Sequence, residues 1–245
     1  MNRAFARAAT SPSVRATDRP LHASPRMALS LSDLSAVIFD VDGTLIDSNA
    51  AHADTWAQAL SEHGIARNAA QIRPLVGMGS DKLLPIVGLE EASAPARAVV
   101  ERKKALFAER LPCLQPTPGA RALVAHLRDQ QKAIDIATSA GDDEMDALLQ
   151  QAGVADLIPK RTSSDDADRS KPDPDIVIAA LHRTGAAPDR TVMIGDTPYD
   201  VEAARRAGIR AVALRCGGHW FDTDLKGAIH IADDPAGLLA YWQPR

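Results

Sequence analysis

Cysteine is scarce in this chain: there are two, Cys113 and Cys216, and they form no CxxC pair. That removes a zinc ribbon and a thioredoxin-type motif, and it suggests a reducing, cytoplasmic setting. Aromatic residues make up only 4%. Long apolar runs are missing as well. Nothing approaches the roughly 20 residues that span a bilayer, so a membrane partner is not expected. An excess of basic charge is also missing: 28 Lys and Arg face 32 Asp and Glu, a net charge of −4. The balance is uneven along the chain. Residues 1–32 hold Arg3, Arg7, Arg15, Arg19 and Arg26 against only Asp18, which leaves 23 basic and 31 acidic residues beyond them. An acidic body argues against nucleic acid as the main partner, because neutralising phosphates needs a basic face.

What remains is ordinary globular composition, 45% apolar and 24% charged over 245 residues. That length supports one large domain or two modest ones. Residues 1–32 stand apart. They are rich in Arg, Ala and Ser and poor in acid, which matches an organelle transit peptide, an unstructured tail, or a stretch upstream of a start at Met27. Pro12, Pro20 and Pro25 interrupt any amphipathic helix there. The segment is expected to be a disordered extension and takes no part in the fold reasoning.

Four short apolar runs read as buried strands: 35–40, 133–137, 191–195 and 210–214, with a weaker one near 157–158. Helical stretches lie between them at 119–130, 142–152, 174–184 and 198–207, several stopping at a glycine such as Gly153, Gly185 or Gly208. This alternation predicts an α/β fold, a doubly wound parallel-sheet core of Rossmann-like form. One region breaks the pattern. Residues 49–113 show helical patterning at 49–63, 68–74, 80–87 and 94–110 and no strand, followed by the Pro-rich linker 112–118. The expected division is a core of residues 33–48 and 114–245 with a helical cap, 49–113, inserted after the first strand.

The C-terminal edge of a parallel sheet is where ligands bind. The first predicted strand ends in Asp40-Val41-Asp42-Gly43-Thr44-Leu45, and the second in Thr138-Ser139-Ala140. Ser170-Lys171-Pro172-Asp173-Pro174 precedes a helix, and a later strand runs into Gly195-Asp196-Thr197-Pro198-Tyr199-Asp200. One edge thus gathers carboxylates, hydroxyls and a lysine. Clustered carboxylates repel unless a cation sits among them, and an oxygen-only set favours magnesium over zinc. A lysine and a hydroxyl beside that cation would trap a phosphoryl group, and an aspartate held there can attack phosphorus. Taken singly, each piece also has a plain reading: a surface DxD, a turn before a helix, a helix N-cap.

Asp40-Val41-Asp42-Gly43-Thr44-Leu45-Ile46-Asp47-Ser48 resembles the first motif of the haloacid dehalogenase-like hydrolase superfamily. Thr138, Lys171 and Gly195-Asp196…Asp200 resemble its second, third and fourth motifs, in that order. The helical insert is similar to the cap of the phosphoglycolate phosphatase and beta-phosphoglucomutase branch. The resemblance implies that Asp40 is the nucleophile and Asp42 the general acid and base. It implies that Asp40, Asp196 and the Asp42 carbonyl hold Mg²⁺, and that Thr138, Ser139 and Lys171 grip the phosphoryl oxygens. Asp200 would support the lysine or the metal's waters, while Asp47 and Ser48 would mark the hinge into the cap. The implied activity is hydrolysis of a small phosphorylated metabolite, by a monomer or homodimer. A sugar phosphomutase would use the same core, and a non-catalytic binding module is the reading from another class.

Within the predicted cap, Gly77-Met78-Gly79-Ser80-Asp81-Lys82 is similar to the lysine loop of phosphonoacetaldehyde hydrolases, where the lysine forms a Schiff base. Lys82 could equally contact substrate or be solvated, and the presence of Asp42 and Lys171 counts against the Schiff-base reading. Arg73 and His52 are further candidates for substrate contact. Trp56 shares a helix face with His52 and reads as either cleft or core. Asp165 and Asp166 are loop acids that could approach the site, with a solvated turn as the favoured reading.

Overall fold

Ala36–Phe39 carries no polar side chain, and all four residues are buried in strand β1. The computed structural model describes residues 29–158 and 161–243; the expectation for residues 1–28 falls outside that range. β1 is the second strand of a five-stranded sheet: it lies between β2 (Ala133–Ile136) at the edge and β3 (Thr191–Gly195), with β4 (Arg210–Leu214) and β5 (His230–Ala232) beyond β3. Every pairing is parallel, and Phe39 stands level with both Ile136 and Ile194. The chain runs from β1 to β2 on one side, then crosses back to β3 on the other. This is the switch point at which open parallel sheets bind ligands.

Side chains alternate across β1 as the pleat requires. Val37 and Phe39 face a core built with α5 (Ala120–Asp129) and α6 (Asp142–Gln151). Ile38 faces the other core, built with α7 (Asp175–Thr184) and α8 (Pro198–Arg206). Helices cover both faces, so the strands read as continuous apolar runs. The doubly wound core is therefore as expected, with two additions at its end. β5 and the final helix α9 (Pro235–Trp242) were not anticipated, because a three-residue strand carries no periodicity to read. The weak run at 157–158 forms no strand; Leu157 lies in a turn and Ile158 is buried in the core.

Between β1 and α5 the chain forms α1 (Asn49–Glu62), α2 (Ala69–Ile72), α3 (Ser80–Ile86) and α4 (Ala94–Arg110). These helices share an apolar cluster of their own, which includes Trp56, Leu60, Ile72, Leu83, Val99 and Leu106. The helix expected over 68–74 is broken: α2 stops at Ile72, and Arg73–Leu75 tightens into a 3-10 turn around Pro74. The two crossings between this helical unit and the sheet lie side by side. Asp47 N donates to Gln115 O at 2.9 Å and Thr117 N to Leu45 O at 3.1 Å. Thr117 Oγ1 donates to Thr44 O at 2.6 Å. The Pro-rich stretch is thus bonded to the opposite crossing rather than free.

Residues 29–32, assigned from composition to the disordered extension, belong to the packed chain instead. Leu29 and Leu31 are buried in the core cluster with Trp242. Trp242 Nε1 donates to Leu29 O at 3.1 Å, so α9 holds this segment in place. Replacing Trp242 with Ala removes both the packing and that bond. The expected loss is about 3–5 kcal/mol of stability, read by urea unfolding; a loss below about 1 kcal/mol would show that α9 is not integral to the core.

Candidate active site

After β1 the chain must turn back at once, and Gly43 makes this possible with φ 72°. Its N–H donates to Ile46 O at 2.8 Å. A Cβ at this position would stand 2.1 Å from Asn49 Nδ2 and 2.4 Å from Asp196 Oδ2, so there is no room for one. After β3, Thr197 caps α8. Its side chain accepts from the Asp200 N–H, while Asp200 Oδ2 accepts from the Thr197 N–H at 3.0 Å and hydroxyl at 2.6 Å. This capping box uses one oxygen of Asp200 and leaves the other for the site. The plain reading of this motif as a helix cap holds, and the other oxygen of the same residue faces Lys171.

Lys171 fills the space below. It has no exposed surface, and its Nζ lies 2.5 Å from Asp40 Oδ1, 2.8 Å from Asp200 Oδ1 and 3.3 Å from Ala137 O. Burial works against its charge, but the two carboxylates outweigh that and hold it protonated. Asp196 sits beside them, accepting from Asn49 Nδ2 at 2.8 Å and the Thr44 hydroxyl at 3.3 Å. Carboxylate oxygens of Asp40, Asp196 and Asp200 lie within 4.8 Å of one another. Burial pushes Asp196 well above the usual carboxylate range, and the charges of Asp40 and Asp200 add to the effect. Burial also raises Asp40, with Lys171 opposing. One lysine does not neutralise three buried acids. The excess negative charge and the oxygen-only donors fit a hard divalent cation.

Asp42 is held differently. Its Oδ1 accepts from the Ser48 hydroxyl at 2.5 Å and lies 2.8 Å from His52 Nε2. Burial would raise its pKa, but His52, Ser48 and Lys103 together bring it down to about 2. His52 is fixed by stacking on Phe107, with ring centroids 4.0 Å apart. Asp40 and Asp42 both line a cavity of about 300 Å³ between the sheet edge and the helical unit, together with Lys171, Ser139 and His52. Trp56, Val76 and Leu83 form an apolar wall on the helical side.

The family model for haloacid dehalogenase-like hydrolases matches residues 37–214. The chain belongs to this family. A phosphoglycolate phosphatase of Rhodospirillum rubrum is 31% identical over 222 residues, covering 85% of this chain and 92% of its own. A phosphorylated carbohydrates phosphatase of Thermotoga maritima is 27% identical, covering 84% and 90%. The crystal structure of a hydrolase from Pseudomonas syringae superposes with a TM-score of 0.79 at 30% identity, covering 84% of this chain and 97% of that one.

The fold of this haloacid dehalogenase-like hydrolase brings together Asp40, Asp42, Ser139, Lys171, Asp196 and Asp200 from distant parts of the chain. Thr138 is buried next to them, and its hydroxyl accepts from the Ala140 N–H at 3.2 Å. The three cap candidates separate. His52 lines the cavity but is committed to Asp42. Arg73 does not line it; the side chain donates to Gly217 O at the rear of the site. Lys82 does not line it either. Its Nζ lies 2.7 Å from Asp173 Oδ2 and 3.8 Å from Asp81 Oδ2, an ion-paired position unsuited to a Schiff-base amine. Substrate contact by Arg73 and Lys82 is thus not what this arrangement offers. Both tie the cap to core loops, as does Asp81, which accepts from the Ser170 hydroxyl and N–H.

Trp56 serves both readings, lying in the cap's apolar cluster and on the cavity wall. Asp165 sits in an exposed 3-10 turn, and that turn also borders the cavity, where its Oδ2 accepts from the Asp142 N–H at 3.1 Å. Sequence reasoning missed Asn49, Lys103 and Glu144. The last two sit in charge runs, 101–104 and 142–144, that look like solvated helix faces. No signal in a single sequence separates them from their neighbours.

Substituting Lys171 with Met would leave Asp40 and Asp200 buried without their cation. The expected loss is about 3–5 kcal/mol, measured by denaturant unfolding in the presence of a chelator. Unchanged stability would show that the lysine does not compensate these acids.

Proposed function

We propose that this hydrolase cleaves a small phosphomonoester in two steps, passing the phosphoryl group to Asp40 and then to water, with Mg²⁺ bound. The observation that carries the reading is the different treatment of two carboxylates on one cavity. Asp40 is bound to a buried lysine, whereas Asp42 is held by Ser48 and His52. Neighbouring acids in unlike environments divide the roles of nucleophile and proton carrier.

In the first step an Asp40 oxygen attacks phosphorus and the ester oxygen leaves. Lys171 and Ser139 line the cavity where the phosphoryl oxygens would sit, with Thr138 buried beside them, and the lysine would offset their charge. The leaving alkoxide needs a proton, which Asp42 delivers; His52 Nε2, 2.8 Å away, is placed to supply it. In the second step Asp42 takes a proton from water as it attacks the acyl phosphate, releasing phosphate and restoring Asp40. Asp40, Asp196 and the Asp42 main-chain carbonyl would hold the Mg²⁺, with Asp200 behind them. The ion's contribution is to neutralise charge among the carboxylates and phosphoryl oxygens. The names of the relatives support a small phosphorylated metabolite as substrate, as does a cavity of about 300 Å³, at the small end for ligand sites. The two free cysteines are in keeping with a cytoplasmic setting. Among the described residues no helix is long and apolar enough to cross a membrane.

Phosphate release from a panel of small phosphoesters is expected with Mg²⁺ and is expected to stop with chelator. Release that survives chelation would remove the metal from the mechanism, and an isomerised sugar phosphate without free phosphate would favour a mutase. Asp40→Asn is expected to lower kcat about 10⁴-fold or more while circular dichroism stays unchanged; a working variant would sink the covalent route.

Asp42→Asn gives a finer test. A nitrophenolate leaves without a proton, but water still needs a base. With p-nitrophenyl phosphate this variant should show a burst of one nitrophenolate per enzyme followed by a slow phase, the sign of an accumulating intermediate. Linear release at the wild-type rate would remove Asp42 from both steps.

A further inference from the structure

Beyond the reacting groups, one charged pair stands on the cavity wall. Lys103, on α4 of the cap, is 6% exposed, and its Nζ lies 3.1 Å from both carboxylate oxygens of Glu144, in the first turn of α6 of the core. The same ammonium lies 4.6 Å from the centre of the Phe107 ring. Both residues line the cavity that holds Asp40. The pair spans the two parts of the molecule, so it is assembled only while the cap is seated on the core.

We propose that this pair selects phosphomonoesters whose leaving alcohol is an uncharged polyol and rejects those carrying a second anion. The inference rests on the hydrolase reading above and adds the substrate class. A substrate carboxylate reaching for Lys103 would meet the Glu144 carboxylate at the same point, and like charges brought together across a binding surface are strongly unfavourable. A hydroxyl avoids that conflict, accepting from the ammonium and donating to the carboxylate. The rest of the wall matches such a group. Ser80, Ser139 and Ser164 line the cavity with hydroxyls. Lys104, the remaining lysine on the wall apart from Lys171 at the reaction centre, is paired with Glu101 at 3.2 Å and largely solvated. Asp165 adds negative charge rather than positive. Away from the reaction centre, therefore, the described wall gives a second anion no uncompensated, desolvated cation.

The test compares kcat/KM for a hexose 6-phosphate and glycerol 3-phosphate with that for phosphoglycolate, which carries a carboxylate. Wild type is expected to favour the polyol esters by about tenfold or more. Glu144→Gln leaves an uncompensated ammonium and should lower that ratio about tenfold or more, whereas Lys103→Met leaves a carboxylate and should raise it. The double variant restores neutrality and should return the ratio toward wild type, an order that a folding defect does not produce. A wild-type preference for phosphoglycolate, or a ratio that neither single variant moves, would overturn the proposal while leaving the hydrolase reading intact. No phosphate release from any ester would overturn both.

Discussion

An ammonium group with no access to water sits at the centre of this molecule. Lys171 is among the costliest side chains to bury, and it is buried completely. It is tolerated because Asp40 and Asp200 stand within 2.8 Å and satisfy it from two directions. Those acids come from the end of β1 and the first turn of α8, so one cation joins three separate loops. The arrangement has no slack. The second oxygen of Asp200 is taken by the α8 cap, and Gly43 leaves no space for a side chain beside Asp196. The site is held by the fold, and the fold at this edge is held by the charges of the site.

The cap is tied to this centre through its immediate neighbours. Gly79 N and Asp81 bind Ser170, and Lys82 binds Asp173, so the residues flanking Lys171 are held from the cap side. On the other side of the cleft, Tyr199 donates to Pro74 O at 2.5 Å and Arg73 to Gly217 O. The two crossings between cap and core are bonded to each other. This division gives Asp40, Asp42, Lys171 and Asp196 to the core, and to the cap His52, which holds Asp42, together with much of the cavity wall. The Lys103–Glu144 pair lies where the two parts meet, away from the lysine–carboxylate network.

The motifs at the strand ends could be read in advance because two independent patterns coincided there. Buried parallel strands are mostly apolar, so their ends are sharp even with Asp135 inside β2, and Asp40, Thr138 and Asp196 each follow such an end within two residues. Leu29 and Leu31 were misassigned because the composition of a mostly polar segment hid two apolar residues; nothing local shows that Trp242 reaches them. Arg73 and Lys82 looked like ligands for an anionic substrate, since a cation in a Gly-rich loop has no visible partner in the sequence. The partners, Gly217 and Asp173, are more than 90 residues away.

The chain's own order of residues determined the parallel α/β core, the inserted helices and the identity of the acids and lysine at one sheet edge. These follow from local rules: apolar runs, helix stops, capping residues and the φ that only glycine takes freely. The tertiary structure decided which charges are compensated. Whether Lys103, Lys82 or Arg73 is available to a substrate depends on Glu144, Asp173 and Gly217, and those contacts exist only once cap and core are packed together. Charge compensation acts over a few ångströms in space, and distance along a sequence carries no measure of that.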